Sequence, residues 1–466
     1  MATDTLQPEE VAPPTRTVPR ARFVTGSITR HIFVMTGTSA IGLMAIFFGD
    51  FANILFLGLL GDVEVLAAIG YSASLLFFTV SVGIGLSIAT SSLVSPALGA
   101  GDVERARRLS VNLHIASVAV ALLVLAVLWP LLPVLLAGIG ATGRTHALAL
   151  GFTRLVVPTL PLLVTAMCSA AVLRSAGDPR RSMYVTLSGA LVNTALDPIF
   201  ILWLGWGIHG AAVATIFARV CVACIGILLV VRLHGLMAKP EWPAFRRDVA
   251  LIAGFSLPAV LANIATPVSN AVVTMTIARF SDAAVAGWAV IGRITPVAFG
   301  AIFALSGSIG PIIGQNLGAR AYDRVREALI GGLRTAGYFT VAAWLFLALA
   351  APVLVSLFNA KGEAADLILF YCRWMAPLFV FFGLLFVSNA ACNTLGKPHY
   401  ATLLNWGRAT LGTLPFTALG AHWGGAKGVL IGFMAGGIAF GVLAVAVVFR
   451  LIRDLEAQRA RAPNQP

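Results

Sequence analysis

Twelve apolar runs, each long enough to cross a lipid bilayer, dominate the chain. A membrane-spanning helix needs about 20 mostly apolar residues, and short breaks rich in Gly, Pro, Asp or Arg separate the runs. The runs cover residues 32–60, 65–98, 109–137, 146–174, 183–204, 210–233, 251–280, 284–317, 331–356, 365–394, 400–419 and 428–450. Because they lack the alternating pattern of barrel strands, we predict an all-α polytopic membrane protein with twelve transmembrane helices.

The composition excludes a soluble enzyme. Of 466 residues, 59% are hydrophobic and 11% are charged, whereas about 25% are charged in a typical soluble domain. The net charge of +13 is not a nucleic-acid signal, because Lys and Arg lie singly or in small clusters between the apolar runs. We therefore expect a lipid bilayer around the chain and no nucleic-acid partner.

The distribution of basic residues predicts the orientation. One set of connections and tails holds 23 Lys and Arg, and the alternate set holds four, Arg144, Arg279, Lys361 and Lys427. By the positive-inside rule both termini are cytoplasmic, and the Ala-, Gly- and Arg-rich usage favours a bacterial cytoplasmic (inner) membrane. Residues 1–30 and 451–466 are predicted cytoplasmic tails, and the first lacks the apolar core of a cleaved signal peptide.

Two loop motifs recur at one offset and indicate an internal repeat. Leu98-Gly99-Ala100 recurs as Leu317-Gly318-Ala319, and Gly177-Asp178-Pro179 recurs as Gly396-Lys397-Pro398, both 219 residues later. We predict six-helix lobes at 31–234 and 251–450, joined by a cytoplasmic linker at 235–250. Since each unit has an even number of spans, the lobes share one orientation, and a substrate site is expected between them.

Only two of the nineteen acidic residues, Asp50 and Asp197, lie well inside the apolar runs. Ionisable groups within a bilayer are costly and usually mark an ion or proton path. Asn53 shares a helix face with Asp50, and Asn193 shares one with Asp197. If these faces meet, they form a polar coupling site in the first lobe. The alternatives are an Asp197 that only satisfies donors freed by a kink at Pro198, a structurally bonded Asp50, and asparagines that only join helices.

The coupling ion stays open at this point. A carboxyl pair can bind a proton from solution, whereas Na⁺ needs several converging oxygens. Thr215 would add a hydroxyl oxygen to the site, or it would bond only to its own helix. The sequence contains no phosphate-binding loop of the form G-x-x-x-x-G-K-[ST], and we expect no metal centre or cofactor beyond H⁺ or Na⁺ as the coupling ion.

The loop motifs resemble those of the multidrug and toxic compound extrusion (MATE) family of secondary transporters. The matching segments are Gly58-x-x-Gly61-Asp62, Leu98-Gly99-Ala100-Gly101-Asp102 with Arg105 to Arg108, Leu173-Arg174 with Gly177-Asp178, Asn193-x-x-x-Asp197-Pro198, Gly210 to Thr215, Arg293, and Gly314-Gln315-Asn316-Leu317-Gly318-Ala319. The resemblance implies two six-helix lobes, alternating access, and export of organic cations in exchange for H⁺ or Na⁺.

The chain departs from the family pattern at two places. Pro96 stands where the family usually has Gln, while Gln315 is kept in the second half. Many members carry an acid in the first span at the position occupied here by Asn53, and this chain has Asp50 one helical turn away.

Five further polar residues are candidates to line a substrate cavity, where aromatic faces suit cationic drugs. They are Tyr71, Trp288, Arg293, Gln315 and Asn316. The tryptophan and tyrosine would otherwise be interface anchors, and Arg293 would otherwise bond helix ends inside the second lobe.

We predict a multidrug efflux antiporter that acts as a monomer on amphipathic, often cationic, small molecules such as drugs and toxic organic cations. The alternative is a flippase for a lipid-linked saccharide with the same architecture, which would need a strongly cationic cavity. The sequence contains no converging nucleophile, base or metal-ligand set, so we do not expect an enzyme.

Overall fold

The computed structural model describes residues 21–461, with side chains as far as Ala457. Helices account for nearly all of this part of the chain, which contains no strand. The all-α prediction is therefore confirmed for residues 21–461. Positions 1–20 and 462–466 of the two predicted tails lie outside the described residues.

Six helices form the first lobe and six form the second. The first six are α1 Ile28–Gly58, α2 Val63–Gly99, α3 Val103–Gly138, α4 Gly143–Ser175, α5 Pro179–Trp203 and α6 Gly207–Leu233. The second six are α7 Trp242–Ile277, α8 (Asp282–Ala298 and Gly300–Gly318), α9 Tyr322–Leu357, α10 Glu363–Thr394, α11 (Pro398–Ala409 and 414–423) and α12, 426–461. Gly424 and Gly425, the latter at φ 57°, separate α11 from α12.

Several helices extend beyond the predicted runs, and this corrects one boundary. Because α7 already begins at Trp242, residues 242–250 are helical and the connection between the lobes is confined to 234–241. Apolar runs mark only the part of a helix inside the hydrocarbon, so their ends underestimate helices that continue into water.

The internal repeat extends to the ends of the helices. Helix α2 covers Val63–Gly99 and α8 covers residues 282–318, so both ends differ by 219 positions. Even a local irregularity is repeated: α4 changes to a 3-10 turn at Val157–Thr159 and α10 does so at Ala376–Phe379. Each residue of the first lobe therefore has a counterpart 219 positions later.

The Gly-Asp loop motifs are helix caps. Asp62, Asp102 and Asp178 precede α2, α3 and α5, and each carboxylate accepts a hydrogen bond from a backbone N–H of the following turn, at 2.9–3.2 Å for the closest. The glycines before them, Gly61, Gly101 and Gly177, have φ between 67° and 76°, a conformation that disfavours residues with a Cβ. The motifs thus stop one helix and start the next.

The two lobes are in direct backbone contact at one end of the bundle. We call this the basic end; it holds the connections 100–102, 176–178 and 319–321. A Cβ on Gly99 would lie 2.0 Å from the carbonyl oxygen of Gln315, and one on Gly318 would lie 1.9 Å from that of Pro96. The backbones of α2 and α8 are therefore in direct contact, and the structure is closed at the basic end.

Candidate functional site

The carboxylate of Asp197 joins α1 to α5. Its Oδ1 accepts a hydrogen bond of 3.0 Å from Nδ2 of Asn53, and its Oδ2 accepts one of 3.0 Å from Nδ2 of Asn193. Asp197 has no exposed surface. Three of the residues predicted to form a coupling site are thus in direct contact, with one amide donor for each carboxylate oxygen.

Glycines on α1 allow this contact. A Cβ on Gly42 would lie 2.4 Å from Oγ1 of Thr186 on α5, and one on Gly49 would lie 3.5 Å from Oγ1 of Thr194. The two glycines are seven residues apart and Asn53 follows four later, so all three lie on one helix face. Small residues at such a face let two helices approach closely, which brings the amide of Asn53 within reach of α5.

Asp197 lies directly before a local change in helix type. Pro198 ends the regular part of α5, and a π turn follows at Ile199–Trp203. The hydrogen bonds to Asp197 come from two side-chain amides. The alternative that Asp197 serves only backbone donors freed by Pro198 therefore has no support in the described contacts.

Asp50 is the exposed acid of the predicted site. It precedes Asn53 by one helical turn of α1, whereas Asp197 is fully buried. We predict that Asp50 faces water, because an ionisable side chain within hydrocarbon is costly.

Thr215 does not join this site by a hydrogen bond. Its hydroxyl donates to the carbonyl oxygen of Ala211 in its own helix, at 2.9 Å. The expectation that Thr215 adds a ligand to the site is therefore not met in this conformation, and the local bonding typical of Thr in helices accounts for it.

Two of the five candidate cavity residues, Tyr71 and Trp288, are partly buried against the cores of their own lobes. Tyr71 packs within the first lobe, with its hydroxyl 3.6 Å from where a Cβ on Gly140 would lie. Trp288 packs within the second lobe, where its Nε1 donates to Oγ1 of Thr274 at 3.0 Å and its ring meets the edge of Phe433. Because both side chains remain partly exposed, their assignment to a substrate cavity stays a prediction.

Gln315 and Asn316 are wrongly assigned to the cavity. Both are fully buried at the basic end, where their amides bond to other segments of the chain. Arg293, in contrast, is exposed, which does not fit the alternative that it bonds helix ends inside the second lobe. Its role in a substrate cavity stays a prediction.

One buried cation was not predicted as part of any site. Arg408, on α11, is 3% exposed, its Nη1 donates to Oγ of Ser269 at 3.4 Å, and its guanidinium lies 5.4 Å from the ring centre of Phe382. Its Nε is buried without a hydrogen-bond partner within the described residues. Its position inside an apolar run was the signal in the sequence.

A membrane protein built of two pseudo-symmetric six-helix lobes, with a buried carboxylate inside one lobe, has the architecture of a secondary transporter. The family profile described as MatE matches residues 39–199 and 258–419. The chain belongs to this family, which confirms the resemblance found in its motifs. Members are transporters and not enzymes.

Curated relatives extend over most of the chain. The FAD transporter of Shewanella oneidensis is 28% identical over 455 residues, which cover 95% of this chain and 99% of the relative. The multidrug export protein MepA of Staphylococcus aureus is 24% identical over 379 residues, covering 80% of this chain and 81% of MepA.

Solved structures share the fold. A mutant of the Vibrio cholerae MATE transporter VcmN has a TM-score of 0.86 at 26% identity and covers 92% of this chain and 97% of its own. An outward-facing multidrug resistance MATE family transporter has a TM-score of 0.85 at 23% identity, over 94% and 98% of the two chains. Twelve helices in two lobes are therefore the fold of this chain.

Proposed function

We propose that this protein is a proton-coupled antiporter that exports amphipathic, often cationic, small molecules. The observation that carries the proposal is the contact of the buried Asp197 carboxylate with two amides, beside the exposed Asp50. Such a site lets a proton pass from water to a buried carboxylate within one lobe, where charge changes are costly and therefore able to shift a conformational equilibrium.

The arrangement of donors favours H⁺ over Na⁺. Both amides present N–H groups to Asp197, so they stabilise the ionised carboxylate without a metal cation. A Na⁺ site at the same place would require both amides to turn their oxygens toward the ion, since hard cations take oxygen ligands. Proton binding requires only the carboxyl oxygens.

The exchange cycle follows from the location of the site between α1 and α5. Ionised Asp197 accepts one hydrogen bond from each of the two asparagine amides. When a proton neutralises it, one oxygen becomes a donor, and the hydrogen bond that this oxygen accepts from its amide is weakened because the charge is gone. This changes the contact between α1 and α5, and α1 also packs against α8 of the other lobe through Ser39 and Ser308. Proton binding is thus linked to the lobe interface.

The orientation completes the proposal. An even number of spans places both ends of the described chain on the basic end, and the excess of Lys and Arg there assigns it to the cytoplasm. The protein would then lie in a bacterial cytoplasmic membrane as a monomer, with the basic end closed and the substrate released to the opposite side.

An anionic dinucleotide is the second candidate substrate. The alignment with the FAD transporter covers nearly all of both chains, at higher identity than that with MepA. The apolar runs also hold more bases than acids, and Arg293 is exposed among them. We rank the organic cation first because the coupling acids Asp50 and Asp197 need a substrate that competes with a proton.

Efflux from proteoliposomes tests the proposal. A fluorescent organic cation such as ethidium and, separately, FAD are loaded, and a pH gradient or a Na⁺ gradient is imposed. We compare the wild type with Asp50→Asn, Asp197→Asn and the control Asp323→Asn, which changes an exposed acid in the first turn of α9. We expect cation efflux driven by the pH gradient in the wild type and control, and a loss of at least about tenfold in the other two variants.

Each other result has a definite meaning. Efflux driven only by Na⁺ would overturn proton coupling, and FAD efflux without ethidium efflux would make the dinucleotide the substrate. Equal transport by all variants would overturn the coupling site. Transport of neither probe would contradict both candidates and would favour the lipid-linked saccharide.

A further inference from the structure

The short segment before α1 lies across the basic end. Phe23 is 3% exposed, and its backbone N–H donates to Oε1 of Gln315 at 2.8 Å. Its carbonyl oxygen accepts from Nδ2 of Asn316 at 3.1 Å and from Nη2 of Arg324 at 3.0 Å. Arg324 also donates to the carbonyl oxygen of Gly26 at 3.0 Å. The α8–α9 corner thus binds backbone groups of the segment 21–26.

The side chains of this corner are organised for one peptide. Nε of Arg324 donates to Oδ1 of Asn316 at 3.0 Å, and Nδ2 of Asn316 donates to the carbonyl oxygens of both Ile312, at 2.8 Å, and Phe23. Charge-assisted donors of this kind make the stronger hydrogen bonds. The site therefore binds backbone groups of a segment whose residues 23–24 form a turn, and the bonds do not depend on a charged side chain of that segment.

Gln315 connects the segment to both lobes. While its Oε1 accepts from Phe23, its Nε2 donates to the carbonyl oxygen of Ser175 at the end of α4, at 2.6 Å. On the other side of the segment, Nη1 of Arg22 donates to the carbonyl oxygen of Gly177 at 3.3 Å. The segment and Gln315 together tie α8 of the second lobe to the α4–α5 connection of the first.

An apolar contact adds to these bonds. The Phe23 side chain belongs to one buried cluster with Ile28 and Ile312, and its ring meets the edge of the His31 ring at 5.3 Å between centres. Burial of an aromatic side chain supplies more free energy than a single neutral hydrogen bond. Phe23 is thus the main anchor of the segment.

The internal repeat explains why the site exists only once. The counterpart of Gln315, 219 positions earlier, is Pro96, which has no side-chain amide. The α2–α3 corner therefore lacks the acceptor and the donor that hold the segment at the α8–α9 corner.

We propose that Gln315, Asn316 and Arg324 form a binding site for the chain's own residues 21–26, and that docking of this segment holds the basic end closed. The role in gating depends on the proposed alternating-access function, whereas the docking itself does not. Since the segment continues directly into α1, which carries Asp50 and Asn53, movement of α1 during the cycle pulls on the docked segment. Opening of the basic end requires its release.

Hydrogen–deuterium exchange of the full-length protein in lipid nanodiscs tests this proposal without any substrate. The variant Phe23→Ala removes the anchor, and Val24→Ala is the matched control, since Val24 is the partly exposed neighbour. We expect backbone amides of residues 22–27 and of the basic ends of α2 and α8 to exchange faster in Phe23→Ala, by about tenfold or more. The control should match the wild type.

A second variant covers the case in which Phe23→Ala does not fold. Arg324→Gln removes the bonds to Phe23 and Gly26 but leaves the apolar contact intact, and it should accelerate the same amides. Unchanged exchange at the ends of α2 and α8 in either folded variant would overturn the gating proposal. Faster exchange in a protein that transports neither ethidium nor FAD would contradict the proposed transport function and leave the docking established.

Discussion

Ser269 of α7 and Thr413, between the two parts of α11, share a hydrogen bond of 2.9 Å between their hydroxyl oxygens. Their positions correspond through the 219-residue offset to Asp50 and Thr194. The guanidinium of Arg408 lies beside them, 3.4 Å from Ser269. Through the same offset Asp50 corresponds to Ser269 and Asp197 corresponds to Phe416, so neither acid of the first lobe has an acidic counterpart. The second lobe therefore has no equivalent carboxylate to exchange a cation.

This asymmetry predicts that Arg408 is dispensable for coupling. In Arg408→Met the apolar stem is kept and the buried cation is removed, a change that is often neutral or stabilising for a buried charge. We expect gradient-driven ethidium efflux within about threefold of the wild type, and a loss of at least about tenfold in Asp197→Asn. Loss of coupling in a stably folded Arg408→Met protein would show that the second lobe takes part.

The bond from Asn193 to Asp197 predicts a measurable coupling energy. Asn193→Ala leaves one buried carboxylate oxygen without its donor, which costs about 1–3 kcal/mol. In an Asp197→Asn background the penalty should be smaller, because no charge is left unsatisfied. Thermal unfolding in one detergent measures all four proteins of the cycle. Thr215→Val, which removes a bond only within its own helix, is the control. Equal penalties in the two backgrounds would mean that the pair is not coupled.

The close approach of α1 and α5 predicts a steric effect at Gly42. Gly42→Val places a side chain where Oγ1 of Thr186 lies, whereas Gly37→Val on the same helix meets no atom within 4 Å. We expect Gly42→Val to lower stability by about 1–3 kcal/mol and to reduce efflux, because Asn53 is drawn away from Asp197. Gly37→Val should stay close to the wild type in melting temperature and transport. A larger loss of stability in Gly37→Val than in Gly42→Val would contradict this packing of α1 against α5.

Asp178 lies outside the membrane spans, and its hydrogen bonds predict how the stability of the protein depends on pH. Burial acts to raise its pKa, but hydrogen bonds from His234 and Arg181 outweigh burial and hold the pKa well below the usual 3.8. A depressed pKa means that the stabilisation is complete above pH 3.8 and is lost only as the pH falls through the folded value. Asp178→Asn should therefore be less stable by about 1–3 kcal/mol at every pH between 5 and 8. A difference that vanishes at pH 5 would contradict the depressed pKa.

The helices and the internal repeat could be predicted because both depend on short, local sequence patterns. An apolar run of about 20 residues has few alternatives to a membrane helix. A Gly-Asp motif marks the end of one helix and the start of the next, as at Gly61-Asp62 and Gly177-Asp178. The start of α7 at Trp242 was not predictable from hydropathy, since its first turns carry Arg246, Arg247 and Asp248 and are not an apolar run.

The residues of the coupling site could be predicted from the sequence, but the contacts among them could not. Polar residues in apolar runs are rare enough to identify Asp50, Asn53, Asn193 and Asp197, and three of them are bonded. Gln315 and Asn316 are buried and Thr215 bonds within its own helix, because the direction of a side chain depends on the rotation of its helix, which the sequence leaves undetermined. Applying the offset residue by residue would have paired Asp50 with Ser269 in advance.

The short connection at 234–241 has a consequence for biogenesis. It is fixed to the first lobe, where Nε of Arg107 donates to the carbonyl oxygen of Gly235 at 2.8 Å, and each half begins and ends on the same face of the bilayer. If the translocon releases the chain at this connection, the first half already contains its six helices and their capping residues. The gene divided here into two reading frames should yield two polypeptides that insert independently and find each other in the membrane.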